Sequence, residues 1–92
     1  MARIVLEGYI DVPAGDLDAV LAELPNHIGL TRSEPGCIRF EVKQRAESPR
    51  LFDVYETFES QRAFDSHQAR VRASRWGDIT VNVSRHYQIS EV

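Results

Sequence analysis

Hydrophobic and polar positions first alternate with period two. From Arg3 to Val12, Ile4, Leu6, Ile10 and Val12 share one parity while Arg3, Glu7, Tyr9 and Asp11 take the other, which predicts a half-buried strand. Pro13, Ala14 and Gly15 end it. The period then lengthens. Leu17, Val20, Leu21, Leu24 and Ile28 recur at helical spacing behind Asp16, a good N-cap. Pro25 falls inside that stripe, where it removes a backbone donor and crowds the carbonyl of Leu21. The pattern therefore predicts a kink or a break, with the second piece ending near Ser33. Pro35-Gly36 predicts a tight turn, because proline presets one central φ and glycine accepts the positive φ that follows in a type II turn.

Alternation resumes at once. Ile38, Phe40 and Val42 alternate with Cys37, Arg39, Glu41 and Lys43, Arg45 to Arg50 forms a polar loop, and Leu51 to Phe58 reads as the other arm of a hairpin. Ser60 caps a second predicted helix that runs to about Trp76, with Gly77 at its C-terminal end. A last strand is predicted from Ile79 to Ile89, where Ile79, Val81, Val83, Tyr87 and Ile89 alternate with Thr80, Asn82, Ser84, His86 and Gln88.

This order, βαββαβ, predicts an α+β ferredoxin-like fold: a four-stranded antiparallel sheet with both helices on one face. The bare face would carry Val5, Tyr9, Tyr55, Thr57, Asn82 and His86, too aromatic to leave wet and too polar for a core. A second copy packed sheet to sheet would cover it, and two such sheets can curl into a barrel. Size points the same way. A chain of 92 residues is one domain and buries roughly 65% of its unfolded surface, enough for one thin core.

Charge and cysteine content narrow the classes. Eleven basic against fourteen acidic residues give −3, which leaves no footprint for nucleic acid or an anionic membrane. Cys37 stands alone, so no intramolecular disulfide forms, the paired spacings of metal sites are missing, and a reducing cytoplasm is the expected location. The opening MARIVLEGYIDV alternates where a signal peptide would run apolar, and no window approaches the roughly 18 apolar residues of a membrane span.

Three polar residues sit in apolar registers. His67 lies three residues after Phe64 and four before Val71 on the second helix, so its imidazole faces the sheet; it reads either as a half-buried base or as a core histidine bonded to a carbonyl or carboxylate. Glu56 shares its parity with Phe52, Val54 and Phe58, and Arg85 stands in the register of Val83 and Tyr87. Buried carboxylates need a donor or a proton, so these two either satisfy each other or cap loops, or they line a cavity beside His67. Phe40, Phe64, Trp76 and Tyr87 supply aromatic wall material or plain core. Arg62, Arg70, Arg72 and Arg75 read as a solvated face, Cys37 as a small buried hydrophobe, and His27 as a surface or helix-terminal residue.

The segments SEPGCIRFEV (33–42), FDVYETF (52–58) and AFDSH (63–67) together resemble the antibiotic biosynthesis monooxygenase family, close to its small quinol monooxygenases. The resemblance spans nearly the whole chain. It implies a dimeric α+β barrel built from ferredoxin-like protomers, and oxygenation of phenols or quinols without metal or flavin, the substrate anion itself reducing dioxygen. It matches His67 to the helix histidine, Glu56 to the strand-three glutamate, and Glu34, Pro35 and Gly36 to a shape-holding turn. Trp76 and Arg85 correspond only loosely to a pocket tryptophan and a basic residue, and the usual second histidine is replaced by Arg70-Val71-Arg72-Ala73.

The expected function is thus a cofactor-independent monooxygenase acting on a small aromatic or quinol substrate with dioxygen. His67 would take the substrate proton, Glu56 would orient substrate or imidazole, and Arg85 would steady the oxyanion. Phe40, Phe64, Trp76 and Tyr87 would hold a flat ring in a cavity of a few hundred Å3, the small end for ligand pockets. The alternatives are a small-molecule-binding or stress-response domain without turnover, since this fold is widely reused, and an isomerase or lyase using the same proton abstraction.

Overall fold

The computed structural model describes residues 2–92. Four strands, β1 (Ile4–Asp11), β2 (Cys37–Gln44), β3 (Leu51–Phe58) and β4 (Ser84–Glu91), form one sheet in the order β2-β3-β1-β4, every neighbour antiparallel. Helices α1 (Leu17–Arg32), α2 (Gln61–Arg72) and the short α3 (Arg75–Ile79) fill the connections. The fold is the α+β ferredoxin-like one. Ile4, Leu6 and Ile10 of β1 pair with Phe58, Glu56 and Phe52 of β3 and share one sheet face. All of these but Glu56 are apolar and join Val20 of α1, Phe64 of α2 and Trp76 of α3 in a single core. Burying that shared parity is what fixes strand register, since a one-residue slip would put charge inside.

The Pro35-Gly36 turn forms as the sequence predicts. The Cys37 amide donates to the Glu34 carbonyl across it, and Gly36 takes φ 89°. A Cβ there would also stand 2.6 Å from that of Ala63, so glycine is required twice over. The Gly36 carbonyl accepts from the Glu59 amide. This bond ties the turn to the end of β3 and fixes where Glu34 stands.

Four local expectations are corrected. The break expected at Pro25 does not occur: α1 is one helix through it, because its tertiary contacts offset one missing bond. Its start is a 3-10 turn, Ala14–Asp16, and the Asp16 side chain makes no capping bond. The second helix ends at Arg72 and not near Trp76: the Ser74 hydroxyl donates to the Val71 carbonyl and accepts from the Gly77 amide, opening α3. Gly77 is therefore no C-cap, and serves close approach instead; a Cβ there would lie 2.3 Å from the Val71 carbonyl oxygen. The last strand begins at Ser84, because Trp76, Thr80 and Val83 bury at helical spacing of four and three. Asn82 consequently stands in the turn before β4 and leaves the bare face.

That face, opposite the helices, carries its own polar pairs. The Tyr9 and His86 rings stack at 4.6 Å, and the guanidiniums of Arg45 and Arg39 lie over the Tyr9 and Tyr55 rings. Arg45 also donates to Asp53. No helix among the described residues is long and apolar enough to cross a membrane.

Candidate active site

Between the helices and the sheet lies a cavity of about 80 Å3. Leu6, Ile10 and Val54 form its apolar floor, Phe40 and Trp76 its walls, and His27, Glu56, His67, Arg85 and Tyr87 its polar lining. The residues singled out from the sequence thus converge, with one exception. Phe64 packs against Phe58 at 5.7 Å in the core and is not among the lining residues. The enclosed volume is also well below a few hundred Å3.

His67 is held from behind. Its Nδ1 lies 2.9 and 3.1 Å from the two carboxylate oxygens of Glu34, and Arg70 Nε donates to the same carboxylate at 2.6 Å. Arg70 also donates to the Thr31 hydroxyl at 2.9 Å, so α1, the Pro35 turn and α2 are locked together. A carboxylate can only accept, which assigns the proton to Nδ1 and leaves the Nε2 lone pair free. Nε2 faces Glu56 Oε1 at 3.7 Å, too far for a hydrogen bond.

Burial sets the protonation states. It lowers His67 below its ordinary value; the Glu34 bond and charge pull upward, but the Arg70 cation cancels part of that pull. The imidazole is therefore a neutral base near pH 7. Burial pushes Glu56 up to about 7, with the Glu34 charge adding to it, so this carboxyl is shared between acid and anion at neutral pH. Burial likewise raises the Tyr87 phenol to about 12, with Glu56 adding, and keeps it a donor.

Arg85 stands at the mouth, the one exposed residue in the lining. It donates to the Thr80 hydroxyl at 3.0 Å, with longer contacts to the Thr80 and Val83 carbonyls. Thr80 is itself fixed, donating to the Trp76 carbonyl at 2.6 Å. Arg85 and Glu56 therefore do not satisfy each other.

Three residues of the site were not legible as such in the sequence. Glu34 orients His67, one of the two roles expected of Glu56. Arg70 belongs to this network and not to a solvated face, and its position three after His67 on α2 is the signal that places both on one side. His27 is buried, its ring stacked on Trp76 at 4.4 Å and 3° and set edge-on to Phe40 at 5.4 Å. Val20, Leu24, His27 and Thr31, spaced four, three and four, are the true inner stripe of α1. Among the described residues, no group of three or more His, Cys, Asp or Glu is placed to hold a metal ion.

The family model described as antibiotic biosynthesis monooxygenase matches residues 3–77. Solved structures share the fold across the chain. A candidate antibiotic biosynthesis monooxygenase from Nitrosomonas europaea superposes with TM-score 0.77 at 18% identity, covering 99% of this chain and 88% of that one. A second, from Bacteroides thetaiotaomicron, gives 0.78 at 20% identity over 99% and 87% of the two chains. One from Deinococcus radiodurans gives 0.71 at 20% identity over 100% and 90%. At such identities the likeness carries the fold. No curated protein matches the sequence.

Proposed function

The chain belongs to the antibiotic biosynthesis monooxygenase family, and from that premise we propose that it is a cofactor-independent monooxygenase of a small quinol or phenol. One observation carries the reading: a neutral histidine, oriented by a buried carboxylate behind it, presents its free Nε2 to a small cavity with an apolar floor, beside a second carboxyl. That is the arrangement of a general base, with Glu34 holding the tautomer and stabilising the imidazolium that forms.

In this reading His67 Nε2 takes a hydroxyl proton from the bound quinol. The resulting anion is electron-rich enough to give electrons to dioxygen, and carbon–oxygen bond formation yields a ring hydroperoxide. Cleavage of its O–O bond releases the distal oxygen as water and leaves a hydroxyquinone, so quinol and dioxygen become hydroxyquinone and water. The ring supplies the electrons and dioxygen is the oxidant. Protonated Glu56 donates to the substrate oxygen, Arg85 offsets charge at the mouth, and Phe40 and Trp76 exclude water.

The cavity volume sets a condition. A cavity of about 150 Å3 holds benzene, so a ring needs lining side chains to move from the 80 Å3 state. Arg85 is the lining residue best able to move, since it is exposed and, beyond one 3.0 Å bond to the Thr80 hydroxyl, its contacts of 3.3 and 3.5 Å to carbonyls are weak. The small volume is also the observation that favours the second reading, a binding domain without turnover. Oxygen uptake on aerobic incubation with a panel of quinols and anthrones separates the two. Uptake with at least one compound, lost in His67→Ala, is expected; no uptake with any, or an unchanged rate in the variant, refutes the monooxygenase.

The bare sheet face supports a homodimer, because Tyr9 and Tyr55 with their overlying guanidiniums form an aromatic surface that a second sheet would cover. Light scattering on the eluting protein would read twice the 10.5 kDa chain mass; a monomer at micromolar concentration refutes it.

A further inference from the structure

Two buried polar atoms in the described residues have no hydrogen-bond partner: His27 Nδ1 and Glu56 Oε1. Both residues line the same cavity, and they are 4% and 6% exposed. Buried polar groups are almost always paired, so two orphaned atoms carried by residues that line one small cavity are the groups that a ligand entering it can complete. We infer that His27 is a substrate-binding residue: its Nδ1 receives a second hydroxyl of a flat ring whose first hydroxyl lies between Glu56 and His67 Nε2.

The placement of His27 argues for this. Its ring is fixed, face against Trp76 and edge against Phe40, so the imidazole cannot swing out to water. The ring centroids of His27 and His67 are 6.4 Å apart, with Phe40 near both, at 5.4 and 5.9 Å. Two imidazoles thus flank one aromatic wall, as suits a single ring bearing an oxygen at each end. A hydroxyl is the matching group because it both donates and accepts, and so serves either tautomer of His27 and either state of Glu56. A monohydroxylated ring would leave Nδ1 unpaired, which is how a buried hydrogen-bonding site rejects an analogue lacking the group. Burial, with the nearby His67 and Arg70 adding, drives His27 down to about 3, so it binds as the neutral imidazole throughout the working range.

This inference rests on the quinol reading for the ligand class, but its test does not use turnover. Hydroquinone and phenol are titrated by calorimetry under nitrogen into wild type, His27→Phe and His27→Asn. Phenylalanine keeps the stack on Trp76 without the nitrogen, and asparagine restores a polar atom near the Nδ1 position. Wild type is expected to bind hydroquinone roughly ten- to a hundredfold more tightly than phenol; His27→Phe should bring that ratio to about one, and His27→Asn should recover part of it. Equal affinities in wild type, no binding of either, or an unchanged ratio in His27→Phe overturns the inference. Nitrogen-15 spectra of wild-type histidines give a readout independent of any variant: the His27 Nδ1 resonance moves with hydroquinone and stays with phenol, and the reverse result also overturns it. Diol binding through His27 without oxygen uptake from any quinol would remove the monooxygenase and leave this site standing.

Discussion

Replacing Glu56 by glutamine should stabilise the protein, and the gain should grow with pH. Glu56 is buried beside Phe40, its partner across β2 and β3, and near His67, with one oxygen unpaired, and burial pushes its carboxyl up to about 7, against 4.5 for the free side chain. Below pH 4.5 the carboxyl is protonated in both folded and unfolded chains and the linkage is silent. Between 4.5 and 7 the unfolded chain has lost the proton and the folded one keeps it, so folding must retain or take up a proton that grows scarcer, and stability falls as pH rises. Above 7 both are ionised and the loss levels off at about 3 kcal/mol, from 2.3RT per pH step across that interval. Glutamine matches the shape and never ionises, so the variant lacks this slope. Urea unfolding of both proteins from pH 5 to 8.5 isolates the effect, because titrations of groups that do not feel Glu56 cancel in the difference. The variant's advantage should be below about 1 kcal/mol at pH 5 and about 3 kcal/mol at pH 8. A difference that is flat with pH, or one that favours wild type increasingly at high pH, would refute the reasoning and place the ionised carboxylate in a favourable site.

The same protonation states shape activity: with His67 lowered by burial, the acidic limb of kcat/KM should fall below pH 6.5, and the alkaline limb near pH 7 should vanish in Glu56→Gln. Retention of the alkaline limb in that variant would remove Glu56 as its source. Glu34→Gln leaves Arg70 without its carboxylate and His67 free to take the other tautomer; kcat should drop about a hundredfold, with about 2 kcal/mol lost from stability, and a variant with wild-type kcat would show that Glu34 is only structural. Gly8→Ala puts a Cβ 1.9 Å from the His86 carbonyl oxygen across the β1–β4 pairing, at φ 156°, and should cost about 3 kcal/mol by thermal or urea unfolding. A neutral effect would mean that β4 is free to shift.

Most of the fold was legible because its core is local arithmetic. Period two in β1, β2 and β3 selects one buried parity, and Pro35-Gly36 and Ser60 mark the junctions by backbone chemistry that needs no distant partner. Where the reading went astray, a distant contact decided. Residues 79–83 alternate like a strand, yet Thr80 bonds back to Trp76 and Val83 buries against the cavity, so the chain coils through them. Pro25 carries a breaking tendency that the packed face of α1 overrides.

The site divides the same way. His67 and Glu56 could be found from the sequence because each is a polar residue in an otherwise apolar register, a misfit that periodicity alone exposes. Glu34, Arg70 and His27 could not: Glu34 looks like a turn residue, Arg70 like surface charge and His27 like the outer side of a helix. The sequence by itself determined the strand parities, the turn, the helix that carries His67 and the misplaced carboxyl opposite it. Only the tertiary structure decided which carboxylate holds the imidazole, that Arg70 braces it, and that His27 turns inward. Those facts depend on the rotation of α1 and on a contact between residues 33 positions apart, and neither is encoded in the spacing of either segment alone.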